Sequence, residues 1–310
     1  MSNTVKAVIF GAVFLLVGLG AKLGLAAFSS DGKNTNTMAN IVSSIPSAEN
    51  PSLPGAGELP GKKEPKTPEN LSMQAGMVTD LSSGEEIFSL RKTEKWPLAS
   101  LSKLMSSIVA LEKMDLNQKI VFSGTAIATE GVSGGFMEGE KYSVEDLIYA
   151  MMVVSSNDAA VALSENMPAG QFVEAMNRKA AELGMNATHF VETTGLSMLN
   201  QGTANDLSLL VEYAWSAHPE LFSVSSRKTT IIKELNSNKS VRLTNINSLA
   251  ARNDFLGGKT GFTEDANENL IAVFSVKGKP YAVIILGADD RITEAEKIIR
   301  FLNDDTDSGD

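Results

Sequence analysis

The stretch WPLASLSKLMSSIVALEK, residues 96–113, decides how the rest of the chain is read. Pro97 pushes Trp96 out of the α region, so the segment enters extended. Beyond it Leu104, Ile108 and Leu111, with Met105 and Val109 beside them, recur at helical spacing. Ser100 and Lys103, three apart in the first turn, share one face of that helix. The lysine amine is then within reach of the serine hydroxyl. A hydroxyl attacks poorly until a base takes its proton, and a lysine becomes that base when burial or a second cation lowers its pKa. Free N–H groups at the helix start favour the negative charge that develops. Alone the pair is a weak signal, because Ser also caps ordinary helices whose Lys faces water.

Outward from this helix the pattern is globular. Residues 75–80 and 86–90 read as strands joined at Ser82-Ser83-Gly84, a hairpin, and 119–122 as a short strand. Residues 131–139 are glycine-rich, a loop set over the site. Ser143, three before Asp146, opens a helix that stops at Ser155-Ser156-Asn157, and another opens at Asp158. Amphipathic helices follow over 169–183, ended by Gly184, and 203–217. A second hairpin pairs 229–235 with 240–244. Hydrophobic strands 270–276 and 281–286 turn at 277–280, and helix 291–302 turns Ala295, Ile298, Ile299 and Leu302 inward. Strands at both ends with helices between predict an α+β domain, an antiparallel sheet packed with a helical cluster.

Two more short motifs stand apart from the first. Ser155-Ser156-Asn157 breaks between two helices, where polar side chains can face a cleft. Lys259-Thr260-Gly261 follows Gly257-Gly258 just ahead of strand 270–276. Ser-x-x-Lys, Ser-x-Asn and Lys-Thr-Gly in that order form the signature set of penicillin-recognising serine enzymes. Each is common; in this order and these settings they are specific. The stretches PLASLSKLM, GEKYSVEDLIYAMMVVSSNDAAVALSE, HFVETTGLS and GGKTGFTEDA resemble the serine D-alanyl-D-alanine carboxypeptidases, the low-molecular-mass penicillin-binding proteins. The similarity covers about residues 71–303, the expected folded part, and implies the β-lactamase/penicillin-binding transpeptidase-like fold.

The resemblance also implies roles. Ser100 attacks the carbonyl of a D-Ala-D-Ala bond to form an acyl-enzyme, and Lys103 is the base. Ser155 relays a proton to the leaving amine, and Asn157 bonds Lys103 and the substrate amide. Lys259 and Thr260 suit the terminal carboxylate, a cation with a hydroxyl donor. Gly261 leaves room for substrate along the strand. Backbone N–H groups of Ser100 and Phe262 form the oxyanion hole. Two nearby cations, Lys103 and Lys259, keep Lys103 neutral. Arg291 stands where relatives often place an arginine near the carboxylate pocket, or else faces solvent at a helix start. His189 is expected to be structural, and Met151-Met152 to be core. The partners implied are peptidoglycan stem peptides, with β-lactams as covalent inhibitors; no cofactor and no metal are implied. In two places the chain departs from its relatives: Ser156 stands where Gly is common, and Glu192-Thr193 where Asn-Pro is frequent.

Composition narrows the alternatives. A formal net charge of -10 argues against nucleic acid. No cysteine and only two histidines exclude disulfides, thiolate catalysis and Cys- or His-rich metal sites. Residues 7–21, AVIFGAVFLLVGLGA, lie between Lys6 and Lys22 and suit a secretory signal, with a small-x-small site at Gly24-Leu25-Ala26. The run from Val8 to Phe28 instead suits a retained membrane anchor. Either way residues 1–30 export the remainder to the extracytoplasmic side. Residues 31–70 hold six of the ten prolines and read as a flexible tether, and 304–310, DDTDSGD, as a disordered acidic tail. Three other activities stay open: a DD-endopeptidase acting on cross-links, a class A-like β-lactamase, and a non-catalytic peptidoglycan-binding or sensor module. A class A enzyme needs a Glu-x-x-Leu-Asn loop, and Glu182-Leu-Gly-Met-Asn186 has the wrong spacing. A non-catalytic module is disfavoured because Ser100, Lys103 and Lys259 are all present.

Overall fold

The computed structural model describes residues 67–305. It opens with the expected hairpin, β1 (Ala75–Asp80) and β2 (Glu85–Leu90). The turn is fixed by Asp80, whose Oδ1 accepts from the Ser82 N–H at 2.8 Å. β3 (Trp96–Pro97) is the extended entry to a 3-10 turn, Ala99–Leu101, that runs directly into α1 (Ser102–Lys113). Then come β4 (Lys119–Val121), α2 (Gly124–Ile127) and β5 (Lys141–Ser143). Three helices follow, α3 (Val144–Val153), α4 (Asn157–Glu165) and α5 (Gln171–Glu182). β6 (Gln201–Gly202) pairs with β3 and precedes α6 (Ala204–Ala217). The anticipated cap is present, Ser143 accepting from the Asp146 N–H, and Ser156 and Thr203 likewise accept from the N–H groups of Ala159 and Asp206.

The chain closes with α7 (Pro219–Ser225), the hairpin β7 (Thr229–Lys233) and β8 (Ser240–Thr244), then β9 (Phe255–Thr263), β10 (Asn267–Val276), β11 (Lys279–Ala288) and α8 (Arg291–Asp305). Five strands form one antiparallel sheet in the order β2-β1-β11-β10-β9, so the two ends of the domain pair through β1 and β11. Period-2 alternation sorts its side chains onto two faces. Leu270, Ala272, Phe274, Val283 and Ile285 pack against Ala295, Ile298 and Leu302 of α8. Ile271, Val273, Ile284 and Leu286 join the helical cluster that includes Leu104, Ile108, Met151 and Met152. Each such side chain taken fully from water contributes roughly 2 kcal/mol. The α+β architecture is therefore as expected, and the methionines are core.

The short elements α2, β5 and β6 were not anticipated, β10 and β11 run past the expected 270–276 and 281–286, and four further details differ from the sequence reading. Residues 255–263 form a full strand, where the glycines of Gly257-Gly258 and Gly261 had hidden it; pairing of Lys259 with Ile271 on β10 supplies what propensity lacks. α7 was not anticipated, although Pro219 is well placed at a helix start. β7 ends at Lys233, two residues short of the expected 235. α8 continues to Asp305, taking in the first two residues of the acidic tail, with the Asn303 amide donating back to the Ile299 carbonyl at 2.9 Å. Residues 306–310, the segment 1–30 and residues 31–66 of the tether lie outside the described residues. Among the described residues no helix is long and apolar enough to cross a membrane.

Candidate active site

Three parts of the chain meet where the sheet edge touches the start of α1. Asn269 on β10, fully buried, donates to the carbonyls of Pro97 (2.8 Å) and Leu98 (3.2 Å). The entry to Ser100 is thereby fastened to the sheet. Gly261 on β9 lies so close to that entry that an added Cβ would sit 3.0 Å from the Leu98 carbonyl oxygen and 3.2 Å from the Ser100 nitrogen. Glycine at 261 therefore eases this approach of two backbones as well as clearing a path for substrate. Two residues of the site hold left-handed backbone despite carrying side chains, Ala99 (φ +48) and Ser155 (φ +60). Such conformations cost of order 1–3 kcal/mol each and collect at functional sites.

Lys103 sits at the centre with no solvent exposure. Its Nζ lies 3.0 Å from Ser100 Oγ, 2.5 Å from Asn157 Oδ1 and 2.6 Å from the Thr194 carbonyl oxygen. An ammonium could donate to all three. A neutral amine has two protons and a lone pair, and the lone pair then faces the Ser100 hydroxyl proton. Burial pushes Lys103 down to about 7, against the carboxylates of Glu192 and Asp158, which favour its charged form. Burial is therefore the first cause of the lowered Lys103 pKa. Lys259 is held well below the ordinary lysine range by burial first and then by repulsion from Lys103 and Arg291.

Lys259, 1% exposed, donates to Ser155 Oγ at 2.8 Å and to the Thr260 carbonyl at 2.7 Å. Ser100, Lys103 and Asn157 thus form one hydrogen-bonded group and Ser155 with Lys259 another, and the Lys103 amine is near enough to act on the charge of Lys259. Asn157 turns its amide nitrogen to the Glu130 carbonyl at 2.8 Å. Thr260 is half-buried beside Lys259, and the Phe262 side chain is exposed next on the strand. Arg291 does not face solvent. Its guanidinium donates to the carbonyls of Gly261 (2.6 Å) and Asn269 (3.0 Å) and to Glu268 (3.1 Å), bracing β9 against β10. His189 pairs through its backbone with Gln201 and carries an exposed ring, in keeping with a structural part.

The departures flagged in the sequence have visible uses. Ser156 is buried, caps α4 and also bonds Asp158. Asp158 accepts from Ser133 Oγ at 2.6 Å and from the Gly134 N–H, which holds the glycine-rich loop beside Asn157. Asp158, Asn269 and the Thr194 carbonyl are site groups that motif reading passed over; the acid immediately after Ser-x-Asn was the available signal for the first. Backbone carbonyls leave none.

The sequence pattern of the D-alanyl-D-alanine carboxypeptidase family, peptidase S11, matches residues 62–290. A D-alanyl-D-alanine endopeptidase of Pseudomonas aeruginosa is 32% identical over 271 residues, 84% of each chain. The endopeptidase of Escherichia coli is 33% identical over 225 residues, covering 71% of this chain and 72% of the relative. Penicillin-binding protein D2 of Listeria monocytogenes, solved in an ampicillin-bound form, has the same fold. Its TM-score is 0.68 at 29% identity, over 76% of this chain and 99% of that one. With the three motifs brought to one cleft and this match across most of its length, the chain belongs to the serine D-alanyl-D-alanine carboxypeptidase family.

Proposed function

We propose that this enzyme removes the terminal D-alanine of peptidoglycan stem peptides through an acyl-enzyme on Ser100. The observation that carries the reading is the buried amine of Lys103, its pKa lowered to about 7 so that a large share is neutral at neutral pH, 3.0 Å from Ser100 Oγ. Lys103 takes the Ser100 proton as Oγ attacks the carbonyl carbon of the penultimate D-Ala. The N–H groups of Ser100 and Phe262 receive the oxyanion, each such donor being worth about 3 kcal/mol. Because Lys259 donates to Ser155 Oγ, the Ser155 proton is free to pass to the leaving amine, and Ser155 is made whole by the proton that Lys103 took from Ser100, so that Lys103 is neutral again. The C–N bond breaks, D-alanine departs, and water hydrolyses the ester. The terminal carboxylate rests on Lys259 and Thr260, and its charge returns Lys259 to the ammonium form. Asn157 orients Lys103 and the substrate amide. Arg291 acts through β9, by holding the Gly261 carbonyl. β-Lactams acylate the same serine, as the ampicillin-bound relative suggests.

A cross-link carries the same D-Ala carbonyl with a different leaving amine. The two relatives quoted above are named endopeptidases, which favours cleavage of cross-links as the second reading. Rapid β-lactam turnover is not expected, since a deacylating base needs a free carboxylate. The oxygens of both Glu192 and Asp158 are occupied by backbone and side-chain donors. The apolar run 7–21 supports attachment to the outer side of the cytoplasmic membrane, with 31–70 as the tether and 71–303 as the catalytic domain. Incubation with a D-Ala-D-Ala pentapeptide and with cross-linked muropeptide, products identified by mass, tests the reading. Free D-alanine from the pentapeptide is the expected result; cleavage of the cross-link alone supports the endopeptidase, and no cleavage of either refutes both.

A further inference from the structure

Between α5 and β6 the chain makes a tight turn in VETTGLS, residues 191–197, and one carboxylate gathers it. Glu192 Oε2 accepts from the Thr194 N–H (2.5 Å) and the Thr194 hydroxyl (2.6 Å). Its Oε1 accepts from the Gly195 N–H (2.7 Å), the Asn200 side-chain amide (3.0 Å) and the Ser197 N–H (3.4 Å). Charge-assisted bonds of this kind are stronger than neutral ones, and five of them fix the path of a short segment.

What that segment touches gives the clamp its meaning. The Thr193 carbonyl accepts from Ser106 Oγ at 2.7 Å, and Asn200 reaches Ser102 Oγ at 3.0 Å, so the turn is fastened to the first turns of α1. The Thr194 carbonyl accepts from Lys103 Nζ. Gly195, at φ +84, approaches so near that a Cβ would lie 1.8 Å from the Ala99 carbonyl oxygen. One short turn therefore presses on the residue before the nucleophile and on the amine beside it. Three charged groups face Lys103: Asp158 from α4, Glu192 from this turn and Lys259 from β9. Asp158 clamps a different loop, whose Glu130 carbonyl goes to Asn157 and not to Lys103.

We propose that Glu192 is a positioning residue for acylation: by gathering the 193–197 turn it sets the Thr194 carbonyl against the Lys103 amine, and its negative charge tunes that amine. The inference rests on Lys103 being the base. Thr194's carbonyl holds one amine proton, which leaves the lone pair directed at Ser100. A loosened turn lets the amine rotate, and misalignment of a reacting pair by a fraction of an ångström slows the step without touching the carboxylate subsite on β9.

Two variants of the full chain, E192Q and T194V, separate charge from geometry. The readout is the rate of labelling by a fluorescent penicillin between about pH 5 and 9, with thermal melts alongside. E192Q places an amide among N–H donors and removes the charge. Acylation should fall by about tenfold or more, and the acid limb of the rate profile should move to lower pH, because Lys103 loses a neighbour that favours its protonated form. T194V keeps the charge and loses one bond of the clamp; it should slow acylation with the limb in place. An E192Q enzyme whose acid limb coincides with wild type, or whose rate lies within twofold of it, overturns the proposal. Should E192Q fail to fold, an unchanged T194V rate overturns it equally. Unlabelled wild type refutes the proposed function itself, whereas labelled wild type with an indifferent E192Q refutes only the role of Glu192.

Discussion

Gly261→Ala tests whether the nucleophile is placed by contact with the sheet edge. The added Cβ would meet the Leu98 carbonyl oxygen at 3.0 Å, the Ala99 Cβ at 3.2 Å and the Ser100 nitrogen at 3.2 Å. Ordinary contacts of this kind begin near 3.4 Å, so a few tenths of an ångström must be found. None of these neighbours can swing aside. Two are backbone atoms, and the third belongs to Ala99, already held at φ +48. Either β9 moves outward, carrying the Phe262 N–H with it, or the Ser100 N–H shifts. Overpacking of this size costs about 1–3 kcal/mol of stability. For a domain this large that corresponds to a fall of roughly 3–10 °C in Tm. Loss of a whole oxyanion donor is worth about 3 kcal/mol, and displacement of one by part of its range predicts a rate loss of about 10- to 100-fold. The assay is the second-order rate of acylation by a fluorescent penicillin, read beside a thermal melt. A variant that acylates within twofold of wild type at unchanged Tm would mean that the sheet edge does not place the nucleophile.

Further outcomes follow from the same geometry. Lys103 is titrated in the folded enzyme near 7 and in the unfolded chain near its ordinary value, so the unfolded state holds the extra proton between about pH 7 and 10 and stability rises with pH across that window. The ceiling for Lys103 is about 5 kcal/mol, and Lys103→Met should reduce the slope in urea melts to the part that Lys259 contributes; an identical slope in both proteins contradicts the buried neutral amine. Lys259→Ala should slow peptides with a free terminal carboxylate more than their amidated counterparts, by about tenfold or more, and equal losses would remove the carboxylate role. Arg291→Ala should lower kcat and Tm together because β9 loses its brace, while an effect on KM alone would mean that Arg291 binds substrate directly.

Much of the fold could be read in advance because its signals are local. The apolar runs 270–276 and 281–286 and the capping serine at 143 each act within a few residues. The three catalytic motifs were legible for a related reason: each is short, its residues lying within a few positions of one another. Strand β9 was missed because its pairing partner, not its own glycine-rich sequence, makes it a strand. Sequence shows two lysines and so the repulsion between them, whereas burial, the larger cause at both, is a property of the assembled core. Arg291 lay between two readings for want of the Gly261 and Asn269 carbonyls that it bonds, and backbone acceptors carry no sequence mark. The same applies to Thr194, whose carbonyl rather than its side chain meets Lys103.

The account turns on one covalent bond, so the decisive measurement is peptide mapping by mass after brief exposure of the enzyme, and of Ser100→Ala, to a penicillin. The adduct is expected on the peptide that carries Ser100 and nowhere in the variant. An adduct on Ser102, Ser155 or any other residue, or labelling that survives the loss of Ser100, would contradict it.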